Sequence, residues 1–247
     1  MLTGIYQLAE RSIEIRSLYP EIHRLCRDYR TDRPADFGVQ ITAADIDSER
    51  EKAAREAGID GQPERQFTDA YLETLAVYRK IAERLPQYDT FLFHGSALAV
   101  DGRGYLFTAA SGVGKSTHVR LWREMLGARA VMVNDDKPLL RMTATGPLVY
   151  GTPWDGKHRL SNNIAVPLQA VCLLERAAEN TIRPLDRAMA YPMLVQQAYR
   201  PVDPTALGQT LTLLDRLTAA VPLWRLGCNM EREAAEIAYA AMRCSAR

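Results

Sequence analysis

Residues 109–116 read AASGVGKS, preceded by the apolar run YLFT and followed by STHVRLWREML, which has helical character. The segment fits the phosphate-loop pattern [Ala/Gly]-x-x-x-x-Gly-Lys-[Ser/Thr], with Ala109 where the strict form has glycine. A chance match occurs in roughly 2% of chains of this length at ordinary residue frequencies, and the strand-then-helix setting lowers that further. The residue types suit the chemistry. Gly112 and Gly114 let the backbone curl, so that N–H groups from Ser111 through Gly114, Val113 included, can point at phosphate oxygens. The helix that follows adds its positive end. Lys115 supplies a point charge for the β- and γ-phosphates, the Ser116 hydroxyl suits Mg²⁺, and Thr117 helps to start the helix. The plainer alternative is a glycine turn joining a strand to a helix.

The rest of the chain must build an α/β domain around that loop. Its 247 residues suffice for one sizeable domain, or for a catalytic domain with a smaller N-terminal module. The net charge of +1 points to neither nucleic acid nor an anionic membrane as the main partner. The four cysteines are far apart and form no CxxC pair, which argues against a zinc site or a disulfide framework. The N-terminus lacks the pattern of a signal peptide, and no run reaches the roughly 20 apolar residues of a membrane span. A soluble cytoplasmic protein is expected, with homo-oligomerisation left open.

Residues 1–18 alternate loosely, as one or two strands, and PEIHRLCRDYR reads as a helix opened by Pro20. DFGVQIT reads as a strand. The charged stretch 43–66 reads as a solvated helix or loop and as the module boundary, dividing the chain into 1–66 and a catalytic part, 67–247. Leu72, Leu75, Tyr78, Ala82 and Leu85 then recur at helical spacing, with Thr68 or Asp69 as cap and Pro86 as stop. FLFHGSALAV and YLFTAA flank Asp101-Gly102, a hairpin signature. AVMVN, PLLRMT, PLVYGT, AVCLLE and PLWRL read as further strands, and EREAAEIAYAAMR as the last helix. The expected fold is a mixed, mostly buried sheet flanked by helices, with the phosphate loop and the end of AVMVN in one cleft.

That strand ends in Asp135 and Asp136. Adjacent carboxylates after an apolar strand can divide labour, one serving a metal and the other accepting a hydroxyl proton; a polar turn is the plainer account. His94 precedes Gly95 on a strand whose hairpin partner feeds the loop, so it can face the same cleft or serve as a hydrogen-bonded core residue. GTPWDGKHRLSNN, residues 151–163, is a loop rich in binding-type side chains. Asp155, Lys157, His158 and Arg159 are its substrate candidates, with Lys157 or Arg159 suited to phosphate or an acidic group; a solvated loop with Trp154 in the core is the alternative.

The order His-Gly, hairpin, SGVGKS, helix, Asp-Asp resembles the catalytic domain of bacterial HPr kinase/phosphorylase over about residues 90–176. It looks still more like the small stand-alone relatives of that enzyme, which include lasso-peptide kinases and are often labelled phosphoenolpyruvate carboxykinases because the superfamily fold is shared. HGSALAVDG, VNDDKPLL and GTPWDGKH carry that likeness. The resemblance implies ATP and Mg²⁺ as cofactors and a hydroxyl-bearing peptide or small molecule as acceptor. It also implies Lys115 as the nucleotide lysine, Ser116 as the magnesium residue, Asp135 as a group that supports the metal or positions Asp136, Asp136 as proton acceptor and His94 as a group near the transferred phosphate. The chain departs from the pattern where HPr kinase has a Glu-x-Arg-Gly segment; Asp155 is the available substitute. Residues 1–90 do not resemble the N-terminal domain of HPr kinase, which makes HPr a poor candidate substrate. A carboxykinase, a phosphorylase running in reverse and a nucleotide-binding switch are the competing readings.

Overall fold

The structure is a computed structural model that describes residues 1–59, 66–110, 112–156 and 158–244. The chain forms two compact units, Met1–Arg84 and Leu85–Arg247. No helix among the described residues is long and apolar enough to cross a membrane.

In the first unit, β1 (Leu2–Leu8) and β2 (Arg11–Ser17) form an antiparallel hairpin. Its turn residues, Ala9 and Glu10, both have left-handed φ, the twist a two-residue hairpin turn requires. The expected helix over 20–30 is shorter: α1 (Glu21–Leu25) gives way to a 3₁₀ turn at Arg27–Tyr29. Strand β3 (Phe37–Gln40) joins β2 in parallel. The charged stretch is helical as α2 (Ala43–Ile59), while residues 60–65 of the expected boundary lie outside the described residues.

Helix α3 (Asp69–Arg84) begins where expected, with Thr68 Oγ1 accepting from Tyr71 N–H at 3.3 Å. It packs with the N-terminal elements, so the division falls after Arg84 and not at 66. Polar groups on α3 are the reason. Glu73 is fully buried and accepts from Leu18 N–H at 2.6 Å and Tyr19 N–H at 2.9 Å. Arg79 grips the buried Glu49 of α2 with two hydrogen bonds, and Lys80 donates to the Gln40 carbonyl at 2.9 Å.

The second unit holds β4 (Thr90–Leu92), β5 (Ser96–Val100), β6 (Arg103–Thr108), α4 (Lys115–Leu126), β7 (Ala130–Asn134), β8 (Leu139–Thr143) and β9 (Gly146–Tyr150). There follow β10 (Ala165–Arg176), β11 (Thr181–Pro184), α5 (Arg187–Gln197), α6 (Pro204–Ala220), β12 (Leu223–Cys228) and α7 (Arg232–Arg243). The described strands make a nine-stranded mixed sheet in the order β4-β8-β9-β10-β6-β5-β7, with β12 also on β10 and β11 on β12. Strand β10 bends the sheet by changing partners. Its first residues pair antiparallel with β9, its middle parallel with β6, and its end parallel with β12.

Side-chain parity then sorts the core into two layers. Ala97, Ala99, Leu106, Val171 and Leu173 face α5 and α6, where Leu194, Leu213, Leu214 and Leu217 pack. Leu98, Val100, Phe107, Cys172 and Leu174 face α4 and α7, where Trp122, Ala238 and Met242 pack. Buried on both faces, the segment Ala170–Leu174 of β10 reads as an unbroken apolar run. The D-G hairpin forms as expected. FLFHGSALAV, however, is two strands, because the chain leaves β4 at His94 and Gly95 to bond elsewhere before entering β5. Strand β11 has no sequence signature, since most of its side chains are exposed.

Glu73→Leu should orphan two backbone N–H groups at a cost of about 1–3 kcal/mol each, and Glu73→Gln, which keeps one acceptor, should lose less. Urea unfolding checks this; a Leu variant as stable as wild type would show that the clasp contributes nothing.

Candidate active site

Strands β6 and β7 both run antiparallel to β5, which lies between them. The ends of β6 and β7 and the start of β5 therefore meet at one end of the sheet. The phosphate loop, the acidic pair and His94 occupy those three places. Hydrogen bonds knit them together. Gly95 N–H donates to the Asp136 carbonyl at 3.0 Å, Ser96 Oγ to the Asp135 carbonyl at 2.8 Å, and Thr108 Oγ1 to the His94 carbonyl at 2.9 Å.

In the loop, Gly112 and Gly114 have φ of 77° and 124°, which side-chain-bearing residues rarely adopt. Gly114 is the N-cap of α4 and gives no side-chain cap, so among the described residues the helix's first N–H groups are available to an anion. Lys115 folds back, its Nζ donating to the Ala109 carbonyl at 3.1 Å. Burial lowers its pKa, and the nearby Asp136 charge partly offsets that. Arg176, at the end of β10, holds the Gly112 carbonyl at 2.6 Å. Val113 packs partly buried against the α4 and α7 layer. Ser111 lies outside the described residues.

The acidic pair is set by the buried Asn134. Its Oδ1 accepts from the N–H groups of Asp136 at 2.9 Å and Lys137 at 2.6 Å. Its Nδ2 lies within 3.2 Å of three oxygens of Thr152 and Trp154. The two carboxylates consequently face different surroundings. Asp136 meets His94 Nε2 at 3.4 Å and receives a hydrogen bond from Lys137 Nζ. Burial alone would raise its pKa, but His94 and Lys137 outweigh burial and hold it at about 2. Asp135 is pushed up by burial and by the neighbouring charges of Asp155 and Asp136, against hydrogen bonds from the backbone N–H groups of Gly156 and of Asp135 itself. Its Oδ2 is buried without a partner among the described residues.

The loop after β9 reaches the same place. Asp155 is also raised, by burial and then by Asp136, while accepting from Ser161 Oγ at 2.9 Å. Gly156 approaches so closely that a Cβ there would lie 2.9 Å from Asp135 Oδ2. Trp154 is buried. His158 lines a cavity of about 420 Å³ together with Ser116, Thr117, Arg123, Asp135 and Leu160. Arg159 is exposed and acts on Asp155 through its charge, outside that lining. Lys157 lies outside the described residues.

A match to a known family spans α3 and most of the second unit, ending before α7. The model of the family described as "ScmC: SynChlorMet cassette protein ScmC" matches residues 63–229. The chain belongs to the ScmC family. No curated protein matches it. Among solved structures, the HPr(Ser) kinase/phosphatase from Coxiella burnetii is similar at 12% identity and a TM-score of 0.37, over 62% of this chain and 88% of that one.

In this ScmC-family chain, sequence reasoning overlooked Asn134, the placement of Gln197 and the grip of Arg176. An Asn two residues before an N–H it can accept from is a recognised turn signal, and it stood in VNDDK. Gln197 and Arg176 carry no local signal, because they meet His94 and Gly112 from 103 and 64 residues away.

The Asp136 carboxyl should titrate near its value of about 2, and His94→Ala should move the midpoint up. Carboxyl ¹³C NMR checks this. Because the folded value lies below the unfolded value of about 3.9, the pairing's contribution to stability is complete above about pH 4. It is lost as the pH falls towards 2. An unshifted midpoint in His94→Ala would show that His94 does not bear on the carboxylate.

Proposed function

We propose that this chain is an ATP-dependent phosphotransferase that moves the γ-phosphoryl group to a hydroxyl, serine-type on a peptide or carried by a small molecule. One observation carries the reading: the loop lysine, the His94–Asp136 pair and the orphaned Asp135 carboxylate converge at one end of the sheet.

The donor set fits magnesium. Ser116 and Asp135 border the same cavity, Asp135 Oδ2 has no partner among the described residues, and both side chains offer hard oxygen ligands. No three His, Cys, Asp or Glu side chains among the described residues group as a metal site, so the nucleotide's phosphates would complete the coordination, as is usual for this ion. A magnesium ion supplies neutralisation of phosphate charge. The residues do the remainder. The uncapped N–H groups of α4 and Lys115 bind the phosphates. Asp136 orients the acceptor hydroxyl and takes its proton as the new O–P bond forms and the β–γ bridge oxygen leaves with ADP. A carboxylate held at about 2 is a weak base. That suits a loose transition state, in which the hydroxyl loses its proton late.

Lys115→Ala should weaken ATP·Mg²⁺ binding and abolish transfer with the fold intact, as calorimetry and circular dichroism would show. Asp136→Asn should leave ATP affinity near wild type and lower the transfer rate by roughly 10²–10⁴-fold in single turnover. Asp135→Asn should instead raise the Mg²⁺ requirement and be partly rescued by excess Mg²⁺. Wild-type transfer in Asp136→Asn would remove the base assignment, and efficient conversion of oxaloacetate to phosphoenolpyruvate would replace the kinase reading with a carboxykinase one.

Gly156→Ala tests the close approach of the loop to Asp135. The added methyl should displace the carboxylate and reproduce the Mg²⁺ defect of Asp135→Asn without altering Lys115. A Mg²⁺ titration identical to wild type would separate Gly156 from the metal residue.

A further inference from the structure

His94 is held by an element from a distant part of the sequence. Its backbone N–H donates to the Gln197 carbonyl at 2.8 Å, Tyr199 N–H donates to the Leu92 carbonyl at 2.9 Å, and Phe93 forms an isolated antiparallel bridge with Ala198. Its carbonyl accepts from Thr108 Oγ1 at 2.9 Å. The backbone of His94 is thus fixed between the end of α5 and the end of β6, which leaves the ring torsion as the remaining freedom.

The side chain of Gln197 restrains that torsion. Its Oε1 lies 3.0 Å from His94 Nδ1. A carboxamide oxygen has no proton to give, so this contact requires the proton on Nδ1. Nε2 is then the nitrogen turned to Asp136 Oδ1, 3.4 Å away. Without an acceptor at Nδ1, the ring can turn about a broad, two-fold torsion and exchange its nitrogens with its carbons.

We propose that Gln197 is a positioning residue: it fixes the direction of the His94 ring so that Nε2 faces Asp136 and the transferred phosphoryl group. This rests on the reading of the site as a phosphotransfer centre. The hydrogen bonds of Gln197 go to His94, so it acts through that ring and not on nucleotide binding. Its position as the last residue of α5, immediately before the Phe93–Ala198 bridge, gives the carboxamide a rigid base.

Gln197→Met keeps side-chain length and helix preference but removes the acceptor. Gln197→Glu restores an acceptor oxygen at the same reach. The full chain has four histidines, so long-range ¹H–¹⁵N NMR can follow each ring, with His94 assigned by its loss in His94→Ala. The wild type should show a fixed Nδ1 proton on His94, the Met variant should lose it, and the Glu variant should keep it. With ATP·Mg²⁺ as the probe and ADP formation as the readout, Gln197→Met should lower kcat roughly 10-fold to 100-fold with KM for ATP unchanged, and Gln197→Glu should recover most of that loss. In a His94→Ala background, Gln197→Met should cause no further loss, since residues acting through one contact are not additive.

A wild-type His94 Nδ1–H signal in Gln197→Met would overturn the proposal. So would a loss that multiplies with that of His94→Ala. If the NMR result is as expected but calorimetry shows no binding of ATP·Mg²⁺ to the wild type, the phosphotransfer reading falls while the placement of His94 by Gln197 stands.

Discussion

The carboxamide of Asn134 joins the two halves of the site. Its oxygen takes the N–H groups of Asp136 and Lys137, and its nitrogen reaches Thr152 and Trp154. The group is buried, so any of these bonds left unmade would cost the full desolvation of its partner. The consequence is geometric. The chain after β7 turns sharply, Asp135 and Asp136 point different ways, and the loop over 151–163 is drawn against β7. That loop also bonds the outer edge of the strand, through Asn162 to the Met132 and Val133 carbonyls. An edge that could pair with another chain is covered by the segment that completes the site.

The opposed environments of the two carboxylates follow from that turn. Asp136 looks towards His94 and Lys137 and is stabilised as an anion. Asp135 looks into a buried space with one idle oxygen, and burial there disfavours its charge. Neighbouring groups whose proton affinities are driven apart can hold separate roles, one as a fixed anion and one awaiting a cation. The sequence contains the same residue twice in succession; the surroundings make the two different.

Sheet direction supplies the other constraint. Because β5 is antiparallel to both β6 and β7, the loop, His94 and the acidic pair share one end of the sheet. The two core layers hold that end rigid, with α4 packed on one face and α5 on the other. Helix α5 reaches the site only at its last residue, Gln197, where the Phe93–Ala198 bridge stops the chain against β4.

Much of this was legible beforehand, and for local reasons. The phosphate loop, the D-G hairpin, the strand ending in two aspartates and the amphipathic helix at 69–84 each depend on residues within a few positions of one another. Torsional preference and hydrophobic period report such features. The sequence by itself also determined which residue types were present for the candidate site: a loop lysine followed by Ser116 and Thr117, two adjacent carboxylates and His94. Tertiary structure alone decided how they are used. Parity of strand pairing chose which of them meet. A buried glutamate with two backbone donors drew helix α3 into the first unit. Contacts spanning 64 to 103 residues put Arg176 on the loop and Gln197 on His94. No local period records those contacts, because their energy comes from polar groups that become partners only after the sheet has closed around them.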